Sequence, residues 1–120
     1  MLPELGQILL MCALLASLLQ AGLPFRVVDA ATWDGASALD ELRTANPLQQ
    51  IPALRWPDGQ VLSESAAILI ELGLRHPASG LLPPSPEARA QAIRGLAYIV
   101  ANCYAAIGII DYPERWCSPA

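Results

Sequence analysis

The sequence predicts an α/β chain in which a β-α-β-β-α unit is followed by one long helix. Three observations predict it. Residues 51–62 read as two short apolar runs, 53–56 and 60–62, joined by a tight Pro57-Asp58-Gly59 turn. Ser63-Glu64-Ser65 then opens an apolar helical segment, residues 66–74, so that strand, hairpin, strand and helix follow one another within residues 46–72. Finally, Ser85-Pro86-Glu87 starts a second, longer helix: Ser85 can cap it, Pro86 suits its first position, and Glu87 meets the positive end of its dipole.

The elements follow in order from the N-terminus. Residues 8–19 are nearly all apolar and too few to cross a bilayer as a helix, which needs about 20 residues. Their length would suit a signal peptide, but residues 1–7 carry Glu4 and no Lys or Arg, so the positive leading segment is missing. The stretch reads as a buried helix of good helix formers, ended by Gly22 at C′ with Pro24 shortly after. Residues 25–29, Phe-Arg-Val-Val-Asp, read as a strand, and residues 30–35 as a loop. Residues 36–44 form a short helix with Leu39 and Leu42 on one side. The helix after the hairpin runs to Arg75, stops before Pro77 and leaves His76 at its C-terminus. Residues 78–85, with Gly80, Pro83 and Pro84, form a linker. In the last helix, Ile93, Leu96, Ala97, Val100, Tyr104 and Ile107 make one apolar stripe, with Gly108 as the expected end. Tyr98, Tyr104 and Cys103 could line a pocket, but helix-spaced aromatics are more often core, and a core place is the expectation for the two tyrosines. The resulting division is residues 1–80 and residues 81–120.

Composition excludes several functions. A chain of 120 residues can bury a real core. Its net charge of −4 and lack of a basic run argue against a nucleic-acid partner and against an anionic membrane surface. Cys12, Cys103 and Cys117 are an odd number without a Cys-x-x-Cys pair, and His76 is the only histidine. Neither a disulfide framework nor a metal site is expected, and a reducing, cytoplasmic compartment is the plain reading.

The ordered set Asn46-Pro47, Ile51-Pro52, Asp58-Gly59 and Glu64-Ser65-Ala66-Ala67-Ile68 resembles the glutathione-binding half of the cytosolic glutathione S-transferases. The resemblance extends more loosely over residues 20–116. It implies a thioredoxin-like β-α-β-β-α domain over residues 1–80 and the first helix of an all-α domain over residues 81–120. It also implies that the first strand is unclear or missing, that the chain is shorter than a full transferase, and that relatives are dimeric and detoxify electrophiles.

A glutathione transferase holds the tripeptide and makes its thiol a thiolate. A free thiol titrates near pH 8.5, so little thiolate exists at neutral pH without help. The resemblance assigns Ser65 and Glu64 to the γ-glutamyl end, and the chemistry agrees. A carboxylate fits a helix N-terminus, where N–H groups, a hydroxyl and the dipole converge, and Glu64 would take the ammonium. Ile51 would offer its backbone to the cysteinyl part as an added strand does. Pro52, in a cis peptide by resemblance, would aim those groups outward. Gln50 would meet the glycyl end, and Gln49 stands where glycine is common. Each of these residues has a plainer structural reading too: Ser65 as a helix cap, Glu64 as an exposed first-turn acid.

The activating residue is not assigned. The family places a Tyr, Ser or Cys at the start of the first helix, and residues 1–7 contain none. Cys12 and Ser17 lie inside the apolar helix. Three readings therefore stand. The first is a transferase using glutathione as co-substrate, with a small electrophile as second partner and a homodimer or other self-association. The second is a non-catalytic glutathione-transferase-like binding or interaction module, or a truncated form without activity. The third, a small secreted helical protein, rests on residues 8–19 alone. Without a first strand, residues 25–29 and 53–56 should each face a gap. The chain should then be marginally stable, and should self-associate or use residues 1–7 as an irregular substitute strand.

Overall fold

The computed structural model describes residues 3–28, 30, 38–111 and 117. Helix α1 spans Pro3–Gln20. Proline at its first position loses no intrahelical hydrogen bond, and the Leu, Ala and Met that follow favour the helix. Residues 3–7 are thus helical, which corrects the expectation that residues 1–7 supply a substitute strand. Gly22 ends α1 with a φ of 68°. Leu23 N–H donates to Leu18 O at 3.1 Å and Gly22 N–H to Leu19 O at 3.0 Å, a Schellman stop. The helix is one-sided rather than buried all round: Leu14, Ser17 and Leu18 are buried, whereas Cys12 and Leu19 are exposed.

Residues 25–28 carry no sheet pairing, which corrects the expected strand there; Asp29 lies outside the described residues. The physical reason is the sheet itself. Among the described residues it has two strands, β1 (Ala53–Arg55) and β2 (Val61–Ser63), paired antiparallel as Ala53↔Ser63, Leu54↔Leu62 and Arg55↔Val61. A strand with no ladder to join has nothing to hold it as a strand. Phe25 and Val27 accordingly stand exposed, and a cavity of about 500 Å³ opens between residues 25–28 and residues 53–57. The hairpin is closed by Trp56 N–H donating to Gln60 O at 2.8 Å and by Gly59 at a φ of 88°.

Helix α2 spans Leu39–Ala45 and buries Leu42; residues 36 and 37 of the expected helix lie outside the described residues. Helix α3 spans Ser65–Arg75, with His76 as its C-cap. Ile68 and Leu72, one turn apart, are fully buried against Leu14 and Leu18 of α1, and Leu54, Trp56 and Leu62 of the hairpin close over them. Burying each such side chain contributes about 1.5–3 kcal/mol.

Beyond α3 come a short 3-10 turn, Pro77–Ser79, and the buried Leu82, which lies on Gly73 of α3. Helix α4 spans Pro86–Tyr98, and Ser85 Oγ accepts the Ala88 N–H at 3.2 Å. A π-helical segment, Ile99–Tyr104, and helix α5, Ala105–Asp111, continue it. Gly108 therefore does not end the helix: one glycine costs about 1 kcal/mol in a helix, too little to break it among alanines and isoleucines. Tyr98 and Tyr104 are exposed rather than in a core, as are Ile107 and Ile110. Residues Pro86–Ile110 are long and apolar enough to cross a membrane by length and composition, with a mean hydropathy of 1.6.

Gly73 and Gly95 separate packing from propensity. A Cβ at Gly73 would lie 2.5 Å from Leu82 Cγ and 3.1 Å from its Cβ, so the whole leucine must move; at Gly95 nothing lies within 4 Å. Overpacking costs about 1–3 kcal/mol and exceeds or cancels the roughly 1 kcal/mol that alanine gains in a helix. Urea melts should show Gly95→Ala more stable than wild type and Gly73→Ala no more stable or less so.

Candidate functional site

The site is assembled by the register of the hairpin. Because Ala53 faces Ser63, the next residues outward, Pro52 and Glu64, leave the ladder at the same end. Ile51-Pro52 and Glu64-Ser65 thereby flank the hairpin at one end. The Ile51-Pro52 bond is cis; Pro52 is buried and Ile51 half-buried.

The loop leading to it is held by Asn46, which is 5% exposed. Leu48 N–H donates to Asn46 Oδ1 at 3.1 Å, and Asn46 Nδ2 donates to Gln50 O at 2.8 Å. Gln49 adopts a φ of 54°, the left-handed region that glycine enters without cost. Arg43 Nε donates to its side chain at 3.3 Å. Gln50 is exposed.

On the other side, Glu64 is the N-cap of α3 with φ 71° and ψ 117°, and its side chain makes no cap hydrogen bond. That backbone costs of order 1–3 kcal/mol and persists only where the surroundings impose it. Ser65 is the first helical residue, not the cap, and is half-buried. The first hydrogen bond of α3 runs from Ile68 N–H to Glu64 O at 3.0 Å. The N–H groups of Ser65, Ala66 and Ala67 precede any intrahelical acceptor and point out of the helix end. The start of α3 thus carries an exposed acid, a half-buried serine and N–H donors without intrahelical acceptors on adjacent residues, a combination suited to anions.

Arg75 is a contributor that sequence reasoning missed. Its guanidinium lies 4.2 Å from the Trp56 ring centroid, Nε donates to Glu71 Oε1 at 2.5 Å, and a third contact reaches Gln60 at 3.4 Å. It ties the end of α3 to the hairpin turn; its four-residue spacing from Glu71 was the legible part of that signal. Cys12 is exposed within α1 and not at its start, and the Ser17 hydroxyl donates to Ala13 O at 2.8 Å. The structure therefore brings neither to the Ile51–Glu64 site as an activating group. Among the described residues, no group of three or more His, Cys, Asp and Glu could hold a metal ion.

Comparison with known proteins bears on this geometry. The family model for the glutathione S-transferase N-terminal domain matches residues 13–75, more than half of the chain. The Escherichia coli (strain K12) protein described as uncharacterized GST-like protein YncG is 38% identical over 102 residues, covering 83% of this chain and 49% of its own length. Probable maleylacetoacetate isomerase 1 of Drosophila melanogaster is 37% identical over 71 residues, 59% of this chain and 28% of that protein. The crystal structure of a glutathione transferase homolog from Sulfitobacter, with bound glutathione, superposes with a TM-score of 0.77 at 26% identity, over 92% of this chain and 53% of the other. The chain spans about half the length of YncG and of the Sulfitobacter protein, and less of the isomerase. The helices and two-stranded hairpin form an incomplete thioredoxin-like α/β domain followed by helices. With residues 13–75 matched by the family model and the fold shared with a glutathione-bound homolog, the chain belongs to the glutathione S-transferase family.

Proposed function

We propose that this chain binds glutathione through the two segments at the end of the hairpin. The observation that carries the reading is the fold shared over 92% of the chain with a homolog that holds glutathione. The γ-glutamyl carboxylate takes the N–H groups at the start of α3 and the Ser65 hydroxyl, and Glu64 takes the ammonium. Ile51, with Pro52 turning the chain behind it, offers its backbone to the cysteinyl part; Gln50 meets the glycyl end. The donor set fits this ligand, since charge-assisted hydrogen bonds at a helix N-terminus suit a carboxylate.

The reading extends to catalysis in the wider family sense: conjugation of the glutathione thiolate to a small electrophile, in the cytoplasm, by a dimeric or self-associating protein. The division into residues 1–80 and 81–120 belongs to the same proposal. Self-association is supported by the apolar side chains left exposed at Phe25, Val27, Tyr98, Ile107 and Ile110. A second reading, a non-catalytic glutathione-binding or interaction module, is favoured by the two nucleophilic side chains of α1: Cys12 is exposed inside the helix and Ser17 donates to Ala13 O.

Two measurements test these statements. In titration calorimetry, Ser65→Ala should weaken glutathione binding roughly ten-fold, since a hydrogen bond to a charged group contributes about 1.5–3 kcal/mol. Equal affinity for wild type and variant removes Ser65 from the site. With a general aryl halide and glutathione, the 120-residue chain should show little turnover. Clear turnover that survives Cys12→Ala would establish an activating group elsewhere and would decide for the enzyme over the binding module.

A further inference from the structure

We propose that Asn46 is a positioning residue that turns the Ile51 N–H toward the ligand, an inference that rests on the glutathione reading of the site. Asn46 is 5% exposed, and every hydrogen-bonding group it has is engaged within ten residues of chain. Its N–H donates to Leu42 O at 2.7 Å, closing the end of α2, and its C=O accepts from Gln49 N–H at 2.8 Å. Its Oδ1 accepts from Leu48 N–H at 3.1 Å, and its Nδ2 donates to Gln50 O at 2.8 Å.

The last contact is the informative one. Gln50 C=O and Ile51 N–H belong to one peptide unit, and that unit is trans, the cis bond lying one residue further on. In a planar trans peptide, C=O and N–H point in opposite directions. Drawing Gln50 O inward onto a buried side chain therefore turns Ile51 N–H outward. That N–H makes no hydrogen bond among the described residues, so it is available to a ligand. The left-handed Gln49 between the two anchors is the backbone cost of the same arrangement. A neighbouring loop without the Nδ2 contact would leave this peptide free to rotate, and the donor would be lost without any change in the residues that touch ligand.

The test uses Asn46→Asp and Asn46→Ala in the full chain, at temperatures below each variant's melt. Asn46→Asp keeps the size and the acceptor for Leu48 N–H but places a carboxylate oxygen against Gln50 O. Its glutathione affinity should fall about ten-fold or more, the effect of losing one buried hydrogen bond with added repulsion. Affinity should recover relative to wild type on acidification, because the protonated carboxyl can again donate to Gln50 O; a defect unrelated to the Gln50 contact would not recover. Asn46→Ala should bind poorly, with no recovery relative to wild type as the pH falls. Wild-type affinity in Asn46→Asp, alongside weakened binding by Ser65→Ala, overturns the proposal while leaving the site reading intact. Should the wild type itself not bind glutathione, that reading falls, and the Ile51 amide cross-peak in NMR decides this one separately. A peak displaced in Asn46→Asp while those of α4 stay in place supports it, and an unmoved peak overturns it.

Discussion

The contact on which the rest depends is the packing of Ile68 and Leu72 of α3 against Leu14 and Leu18 of α1. These four side chains are the centre of a small core, and α3 is where both halves of the binding segment are tied. Leu54, Trp56 and Leu62 place the hairpin over α3, and the hairpin's register then carries Ile51-Pro52 to the start of that helix. Leu82 binds the linker to α3, across a glycine that leaves room for it. Each outward step is specified by the one before: helix pair, hairpin seat, register, site. Surface charge adds little to this order, since the Arg26–Glu41 and Arg43–Asp40 pairs are largely exposed, and such pairs contribute at most about 1 kcal/mol.

Legibility in the sequence followed how local each signal was. The Gly22 stop, the Pro57-Asp58-Gly59 turn and the Ser85-Pro86 helix start each depend on a few adjacent residues, and each formed as expected. The strand at residues 25–29 depended on a distant neighbour that no propensity contains. Phe-Arg-Val-Val has β character, but a strand exists only as one side of a ladder. The exposed second half of the terminal helix failed for the same reason: the stripe from Ile93 to Ile107 is a sequence pattern, interrupted in the helix by the π-helical segment Ile99–Tyr104, and what it packs on is not a property of the pattern. At the site, the Asp-Gly turn and the Glu64-Ser65 helix start were legible. The hub role of Asn46 was not, because its partners at Leu48 and Gln50 are set by a buried loop conformation rather than by spacing.

The local conflicts in this chain gather where the ligand is proposed to bind. Gln49 and Glu64 are the positive-φ residues other than glycine among those described, and they flank the two ends of the Ile51–Glu64 site. Neither residue type is favoured there, and each conformation costs of order 1–3 kcal/mol. A chain whose elements otherwise agree with local preference tolerates such conflict where something else is gained. At Glu64, the unusual backbone lets the chain leave β2 and enter α3 with the helix end uncapped by the protein. A conventional Ser or Asp cap would satisfy one of the very N–H groups that a carboxylate ligand needs. At Gln49, it lets Asn46 close around Leu48 and Gln50 and so fixes the peptide before Pro52.

The same reasoning connects the open edge to the site. The cavity between residues 25–28 and residues 53–57 is lined on one side by β1, the strand that follows directly from Pro52. β1 is held on one edge by β2 and on its face by α3, and its remaining edge is open among the described residues. Whatever orders that edge also stiffens the Ile51-Pro52 turn, because β1 begins at the next residue, Ala53. Arg75 opposes the looseness from the far end by holding Trp56 and Gln60 against α3. Under the proposed reading, binding strength at Ile51 depends on how well β1 is pinned at both ends. Substitutions at Arg75 or along residues 25–28 can therefore change ligand affinity without touching the ligand.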